Sequence, residues 1–322
     1  MIGVRTPFRI SFLGGGTDLK EFYRVAGGNV LSTSVDKYMY IFINKFFDKR
    51  IQVKYSVTEI EEDVNKIKHP IVRELLKLHS ITGVDINSIA DIPAGTGLGS
   101  SSSFTVGLIN ALSLYKDKIL SSSDLASQAS SLEIDILNEP IGKQDQYAAA
   151  FGGLNYIKFN TDDSVEVIPI NISSDSKNKL EEDMLVFYTG NVRKASSILS
   201  KQKENILDYD KSYKKLIEMS QICQTGKTYL ENNDVNSFEK LLHESWQLKK
   251  EVASGITNSS VNEIYNIGIE SGAKGGKLLG AGGGGFILFF CNQKSRIKIK
   301  NKLSNLKEVK FKFDSTGSSR IL

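Results

Sequence analysis

Between Ile92 and Ser103 the chain reads Ile-Pro-Ala-Gly-Thr-Gly-Leu-Gly-Ser-Ser-Ser-Ser, with glycines 95, 97 and 99 running straight into a serine cluster. Phe104, Leu108, Ile109 and Leu112 follow at helical spacing, so the serines stand where a helix begins. Glycine lacks a Cβ and lets backbone amides approach a ligand closely. The first turn of a helix leaves its amides unpaired and its dipole end positive, which suits a phosphate. Such a loop can cradle a polyphosphate; it can also be a turn that only caps a core helix. It is neither of two common nucleotide loops. Walker A would end in Gly-Lys-Ser/Thr, and no lysine follows Gly99. The dinucleotide fingerprint needs a third glycine where Ser102 stands, and an acidic residue about twenty residues later on a second strand.

Three more segments bear on the choice. Near the start runs Thr6-Pro7-Phe8-Arg9-Ile10-Ser11-Phe12-Leu13-Gly14-Gly15-Gly16-Thr17-Asp18-Leu19. Downstream come Gly142-Lys143-Gln144-Asp145-Gln146-Tyr147-Ala148-Ala149-Ala150-Phe151-Gly152-Gly153 and Lys277-Leu278-Leu279-Gly280-Ala281-Gly282-Gly283-Gly284-Gly285-Phe286. In order with the serine-rich loop, these resemble the motifs of the GHMP kinases, the superfamily of galactokinase, homoserine kinase, mevalonate kinase and phosphomevalonate kinase. The resemblance runs from Arg5 to Phe290, nearly the whole chain. Gly14-Gly15-Gly16 stands where galactokinases carry Gly-Glu-His, which argues against galactose and against mevalonate. The glycine variant resembles the heptose-phosphate kinases and, more weakly, the fucokinases.

Composition is that of a soluble globular protein. A chain of 322 residues can bury one large core or two ordinary ones, and 40% hydrophobic with 24% charged residues is typical of globular proteins. The longest unbroken apolar run, Phe286 to Cys291, is too short for a membrane span, and Arg5 and Arg9 interrupt the N-terminal apolar stretch. Two cysteines, Cys223 and Cys291, cannot form a disulfide framework, so a cytoplasmic setting is expected. The net charge of +4 suits anionic substrates without requiring them. The basic run Lys294, Arg296, Lys298, Lys300, Lys302, Lys307, Lys310 and Lys312 has no aromatic before Phe311, and reads as a solvated face rather than a nucleic-acid patch. No membrane or nucleic-acid partner is expected; a homodimer is compatible with the chain.

Strands are predicted at Phe8–Leu13, Tyr38–Ile43, Ile51–Tyr55, Leu154–Phe159, Val165–Ile170, Met184–Tyr188, Phe286–Cys291 and Val309–Phe313. Helices are predicted at Leu19–Val25, Ile71–Leu78, Ser103–Leu114 and Asp124–Leu137. A helical pattern also runs from Ala195 to Ser271, with breaks near Asn232 and Gly255. This is an α+β pattern, with a boundary near Ile170 separating residues 1–170 from residues 171–322. The resemblance implies an N-terminal ATP-binding domain with a ribosomal-protein-like fold, a C-terminal ferredoxin-like domain, and an active site between them.

It also implies ATP and Mg²⁺. Phosphoryl transfer needs the triphosphate held, the metal bridging its oxygens, and the acceptor hydroxyl in line. Gly95, Gly97, Leu98, Gly99, Ser100, Ser101 and Ser102 are the candidate phosphate cradle. Ser101 and Glu133 match the family's Mg²⁺ hydroxyl and carboxylate, although Glu133 could be an ordinary helix glutamate. Asp145 is the candidate base or, alternatively, a helix cap; Arg9 matches the basic position near the transferred phosphate. Asp18 matches a sugar-binding aspartate, or caps the helix that follows it. Gly16, Thr17, Lys143, Gly283 and Arg193 complete the candidate acceptor contacts, with Lys143 able to pair with Asp145 or meet a phosphate. Arg193 is the candidate clamp for a substrate's second phosphate. His69, His79 and His243 show no metal or nucleophile pattern. The implied reaction is phosphorylation of the anomeric hydroxyl of D-glycero-D-manno-heptose 7-phosphate, giving the 1,7-bisphosphate used to make nucleotide-activated heptose. The alternatives are another sugar such as fucose, or a non-catalytic sensor of sugar and ATP.

Overall fold

The computed structural model describes residues 1–190, 195–207 and 212–322. Arg193, the expected phosphate clamp, lies outside them. Strand β1 (Ile2–Leu13) leads through the short helix α1 (Lys20–Ala26) into the long strand β2 (Gly28–Lys45). Next come β3 (Ile51–Lys54), β4 (Thr58–Glu61), α2 (Pro70–His79), β5 (Val84–Ala90) and α3 (Ser100–Tyr115). Helix α4 (Ser122–Ser130) runs into a π-helical turn at Ser131–Ile136, followed by α5 (Gln144–Phe151), β6 (Leu154–Phe159) and β7 (Val165–Pro169). The remainder is α6 (Ser174–Asp183), β8 (Met184–Tyr188), α7 (Ala195–Leu207), α8 (Ser212–Glu231), α9 (Val235–Val252), α10 (Ser259–Glu270), β9 (Gly275–Leu278), β10 (Phe286–Phe290), α11 (Gln293–Lys302), β11 (Lys307–Glu308) and β12 (Ser319–Arg320).

Among the described residues the strands form two sheets. The first runs β12-β1-β2-β5-β3-β4, with β6 and β7 branching from β2; β3 and β5 pair in parallel and the other pairs are antiparallel. Eighteen residues let β2 serve two partners on one edge. Gly28–Thr33 pairs with β6, and Met39–Lys45 pairs with β5. The second sheet runs β11-β8-β10-β9. Strict alternation along β10 puts Phe286, Leu288 and Phe290 in one core cluster, and Ile287 and Phe289 in the other. A strand of five apolar residues therefore joins two hydrophobic layers, as a run buried on both faces must.

Helix α3 lies against β1 and β2 and is buried on every side from Ser102 to Ser113, so its sequence is apolar without a polar stripe. Its burial fixes the serine-rich end rigidly against the first sheet. The chain also corrects one expected strand. Val309–Phe313 forms no ladder of its own: β11 stops at Glu308, and Phe313 makes a single bridge to Val35. The alternation there is real, because Phe311 stacks edge-on to Phe286 and Phe313 approaches Phe12 while Lys310 and Lys312 face water. Aromatic packing and a few isolated backbone bonds to Val186, Ser34 and Asp36, not a continuous ladder, underlie the pattern. The first part of the basic run, Lys294 to Lys302, lies in helix α11, where Lys300 and Arg296 both pair with Glu308. Among the described residues no helix is long and apolar enough to cross a membrane.

Candidate active site

A cleft of about 360 Å³ opens between the two halves of the molecule. The loops before α1 and α3 and the start of α5 form one wall; α9 and the loop joining β9 to β10 form the other. Arg9 on β1 organises the first wall. Its backbone amide donates to the Leu98 carbonyl at 3.1 Å, and Nη1 donates to the Gly97 carbonyl at 2.7 Å. Nε and Nη2 donate to the two oxygens of Asp145, both at 2.7 Å. Arg9 is buried, whereas a quarter of the Asp145 side chain stays open to the cleft. A planar guanidinium holding a carboxylate by two bonds fixes the rotation of both groups. Gly99 makes room for the pair, since a Cβ there would sit 3.3 Å from both Arg9 Cγ and Asp145 Oδ2. Helix α5 starts at Gln144, so Asp145 lies within its first turn instead of capping it.

Glu133 faces the N-terminus of α3 from the π-helical turn. It is 1% exposed, and both of its oxygens are bonded. Oε1 accepts from Ser101 Oγ at 3.1 Å and Thr105 Oγ1 at 3.0 Å; Oε2 accepts from Ser102 Oγ at 2.9 Å and Gln146 Nε2 at 2.6 Å. Burial pushes its carboxyl up, and these four donors oppose the shift. The extra residue in a π turn rotates a side chain off the regular helical face. That rotation explains how an acidic residue in the expected helix Asp124–Leu137 points inward. Among the described residues no three His, Cys, Asp or Glu side chains converge to cage a metal.

Asp18 joins the first loop to α5. Its Oδ1 accepts from the Gly16 amide at 2.9 Å and its Oδ2 from the Gln144 amide at 3.2 Å. It does not cap α1; Leu19 occupies that position without a side-chain bond. Burial raises its carboxyl, and the nearby Asp145 charge adds to the rise. Gly142 is needed at the junction, because a Cβ there would lie 2.0 Å from Asp18 Oδ2. Thr17 is fully buried, with its hydroxyl 2.9 Å from the Gly14 carbonyl and 2.8 Å from that of Asn29, so it shapes the loop from behind.

The other expected contacts divide. Gly95, Gly97, Gly99, Ser100, Ser101, Ser102 and Gly16 line the cleft. Leu98 is wholly buried beneath it. Gly283 holds its loop through bonds with Ile256 and Asn258, while its neighbours Gly282 and Gly284 line the cleft. Lys143 does not reach Asp145. Its ammonium lies 3.2 Å from the Asp163 carbonyl and 4.9 Å from the centre of the Tyr23 ring, in a second pocket adjoining the cleft at Asp18 and Ile141. The carboxylate of Asp163 draws it away from the cleft.

The two glycine loops meet backbone to backbone. A Cβ on Gly97 would come within 2.4 Å of the Leu279 carbonyl oxygen, and one on Gly280 within 2.4 Å of the Gly97 Cα. No side chain fits between them.

Residues 65–153 match the model of the GHMP kinases N terminal domain, and residues 227–308 match that of the GHMP kinases C terminal. The D-glycero-alpha-D-manno-heptose 7-phosphate kinase of Campylobacter jejuni is 31% identical over 304 residues, covering 90% of this chain and 89% of that protein. The chain belongs to the GHMP kinase family. It is accordingly an ATP-dependent kinase, with sugar kinases among the relatives it resembles. The bifunctional fucokinase/GDP-fucose pyrophosphorylase of Arabidopsis thaliana is 26% identical across 92% of this chain, which spans 30% of that longer protein. Among solved structures, a D-glycero-D-manno-heptose 1-phosphate kinase from Bacteroides thetaiotaomicron superposes with a TM-score of 0.82 at 23% identity, covering 100% of this chain and 99% of that one. That likeness is one of fold.

Two cations of this kinase were not among the expected site residues. Lys249 of α9 is buried and donates to the Gly15 carbonyl at 2.9 Å; burial pulls its ammonium down to about 8. Lys277 donates to the carbonyls of Ser11 and Phe12 at 2.8 and 3.1 Å. Burial, and then the charges of Lys249 and Arg9, lower it to about 7. Lys277 opens the last glycine motif and was visible in that respect; Lys249 sits in an unremarked helical stretch 234 residues from its partner.

Proposed function

We propose that this kinase transfers the terminal phosphate of ATP to the anomeric hydroxyl of D-glycero-D-manno-heptose 7-phosphate, in the cytoplasm, with Asp145 as base. We also propose that the chain divides near Ile170 into a nucleotide-binding and a C-terminal domain. The Arg9–Asp145 pair beside Gly99 carries the reading, because it puts a fixed, partly open carboxylate next to the amides that start α3. Those amides and the facing glycine loop suit the nucleotide's phosphates. Asp145 is oriented to take the acceptor proton as the new bond to phosphorus forms. Arg9 holds the carboxylate still and supplies positive charge near the transferred group. Asp18 can accept from neighbouring sugar hydroxyls.

The residues present fit Mg²⁺. One carboxylate and one hydroxyl, 3.1 Å apart and both lining the cleft, match an ion that takes few protein oxygens and completes its shell with phosphate and water. Glu133 and Ser101 would hold it, with Thr105, Ser102 and Gln146 fixing the carboxylate. When bound, the ion neutralises charge developing on the phosphate oxygens.

Asp145→Asn keeps the shape and removes the base. Turnover is expected to fall by about 10²–10⁴-fold with nucleotide binding retained. Unchanged turnover would remove Asp145 from the mechanism. A panel of sugars with and without a terminal phosphate, scored by ATP consumption, tests the acceptor; preference for fucose or another unphosphorylated sugar would overturn the heptose phosphate assignment.

A further inference from the structure

Gly16 has a φ of +107°, and a Cβ there would lie 2.2 Å from Gln202 Nε2 and 2.9 Å from Lys249 Nζ. A side chain at this position would occupy the space that α7 and α9 instead fill with hydrogen-bond donors. Lys249 is 8% exposed and donates to the Gly15 carbonyl and to Gln202 Oε1, at 2.9 and 3.0 Å. An ammonium carries three protons, so one is left over, and among the described residues no carboxylate forms an ion pair with it. Gln202 is fully buried. Its oxygen is taken by Lys249, and its Nε2 has no partner among the described residues. Trp246 stands one turn before Lys249 on the same face of α9, is 2% exposed, and leaves Nε1 unpartnered among the described residues. Lys249 and Trp246 both line the cleft.

Every unsatisfied group in this set is a donor, and one is cationic. Buried donors left without an acceptor are costly and call for one. Across Gly15 the character changes: Ser11 Oγ and Gln144 Oε1 are also unpartnered among the described residues, and both can accept. A sugar hydroxyl, which both gives and takes a proton, suits that side and the neighbouring Asp18. A phosphomonoester, which brings acceptors only, suits the other.

We propose that Lys249, Gln202 and Trp246 form the subsite for the acceptor's own phosphate, at the end of the sugar remote from the oxygen that is phosphorylated. This subsite presupposes that the cleft phosphorylates a sugar. Gly16 is then a specificity residue by its lack of a side chain, since any Cβ would displace two of the donors.

The test compares Lys249→Met and Trp246→Phe with the native enzyme, on one sugar phosphate and its unphosphorylated counterpart. Methionine keeps the length of the lysine stem; phenylalanine keeps one aromatic ring while removing the N–H and the second ring, a packing loss that should weigh equally on both sugars. Lys249→Met is expected to raise KM for the sugar phosphate on the order of 10- to 100-fold, and Trp246→Phe by several-fold. The ratio of kcat/KM between the two sugars should collapse, with a smaller effect on KM for ATP. Equal losses on both sugars, or an equal rise in KM for ATP, would overturn the subsite while leaving the kinase reading intact. If the native enzyme turns over neither sugar, the proposed acceptor falls instead. The subsite is then read by titrating inorganic phosphate: binding lost in Lys249→Met supports it, and binding unchanged overturns it.

Discussion

Gly97→Ala tests the contact on which the cleft's shape depends. Gly97 has a φ of +88°, a left-handed conformation that costs an L-residue about 1–2 kcal/mol. A Cβ would also meet the Leu279 carbonyl oxygen at 2.4 Å, whereas ordinary contact begins at 3.4 Å, so the facing loops must separate by 3.4 − 2.4 = 1.0 Å. Both contacting groups are backbone, so no rotamer can relieve the clash, and an overpacking cost of about 1–3 kcal/mol is expected on top. Gly190→Ala supplies the control. Gly190 has a φ of +79° but, among the described residues, nothing within 4 Å of its Cβ position, so it should pay only the conformational term. Thermal unfolding of the two variants isolates the clash: Gly97→Ala should melt about 2–12 °C below Gly190→Ala. Gly280→Ala opens the same gap from the other side, so the double variant should cost less than the sum of the singles. Equal melting temperatures for Gly97→Ala and Gly190→Ala would refute the backbone-to-backbone contact and the cleft geometry built on it.

Glu133→Gln removes the carboxylate charge while keeping its size; the Mg²⁺ concentration for half-maximal turnover should rise at least about tenfold, and an unchanged titration would exclude Glu133 as a metal ligand. Arg9→Met should reduce turnover and stability together, because it frees both Asp145 oxygens and the Gly97 carbonyl; loss of neither, measured by steady-state kinetics and melting, would contradict the bonding around it. Glu239, wholly buried with Asp183 beside Lys274, has its carboxyl raised to about 7, first by burial and then by the Asp183 charge that the Lys274 ammonium offsets. The folded state therefore holds a proton that the unfolded chain releases near pH 4.5, so the group's contribution is full below that pH and is lost as pH rises toward 7. Glu239→Gln should flatten the melting temperature between pH 5 and 7.5; an unaltered slope would assign the dependence elsewhere.

Much of the site was legible because its chemistry is local in sequence. Gly95 to Ser102 are consecutive or alternate, and their place at the start of α3 follows from glycine conformation and helix ends alone. Arg9 could be placed facing away from the core formed by Phe8, Ile10 and Phe12, since strand alternation fixes that much. What alternation could not supply was its partner, 136 residues away. Asp18 looked like a helix cap because Asp before a short apolar helix usually is one; here each of its oxygens accepts one backbone amide, from Gly16 and Gln144, and the cap of α1 has no side-chain bond. Glu133 needed the π-helical turn, which regular periodicity cannot reveal. Helix α6 went unread because its polar face leaves only Leu180 and Asp183 buried, too few to set a period. The predicted C-terminal strand shows the converse error: its alternation is real and its backbone bonds to Val186, Asp36 and Glu181, but the bonds are scattered over backbone and side chains and make one bridge instead of a ladder.

Lys249 marks the limit of motif reading. Its helix buries Phe238, Leu242 and Trp246 on one face, and a lysine three residues on from Trp246 would ordinarily carry its charge out to water along its aliphatic stem. It stays inside because the first loop offers it the Gly15 carbonyl and no side chain at Gly16 to block the approach. The glycine that departs from the galactokinase pattern and the cation that no motif contains are thus two halves of one feature. Removing a side chain from one wall admits a charge from the other. In this architecture the end of the cleft held by Arg9, Asp145 and Glu133, which we propose to be the catalytic one, can stay constant, while the opposite end is retuned by what the first loop leaves vacant and what α9 puts there.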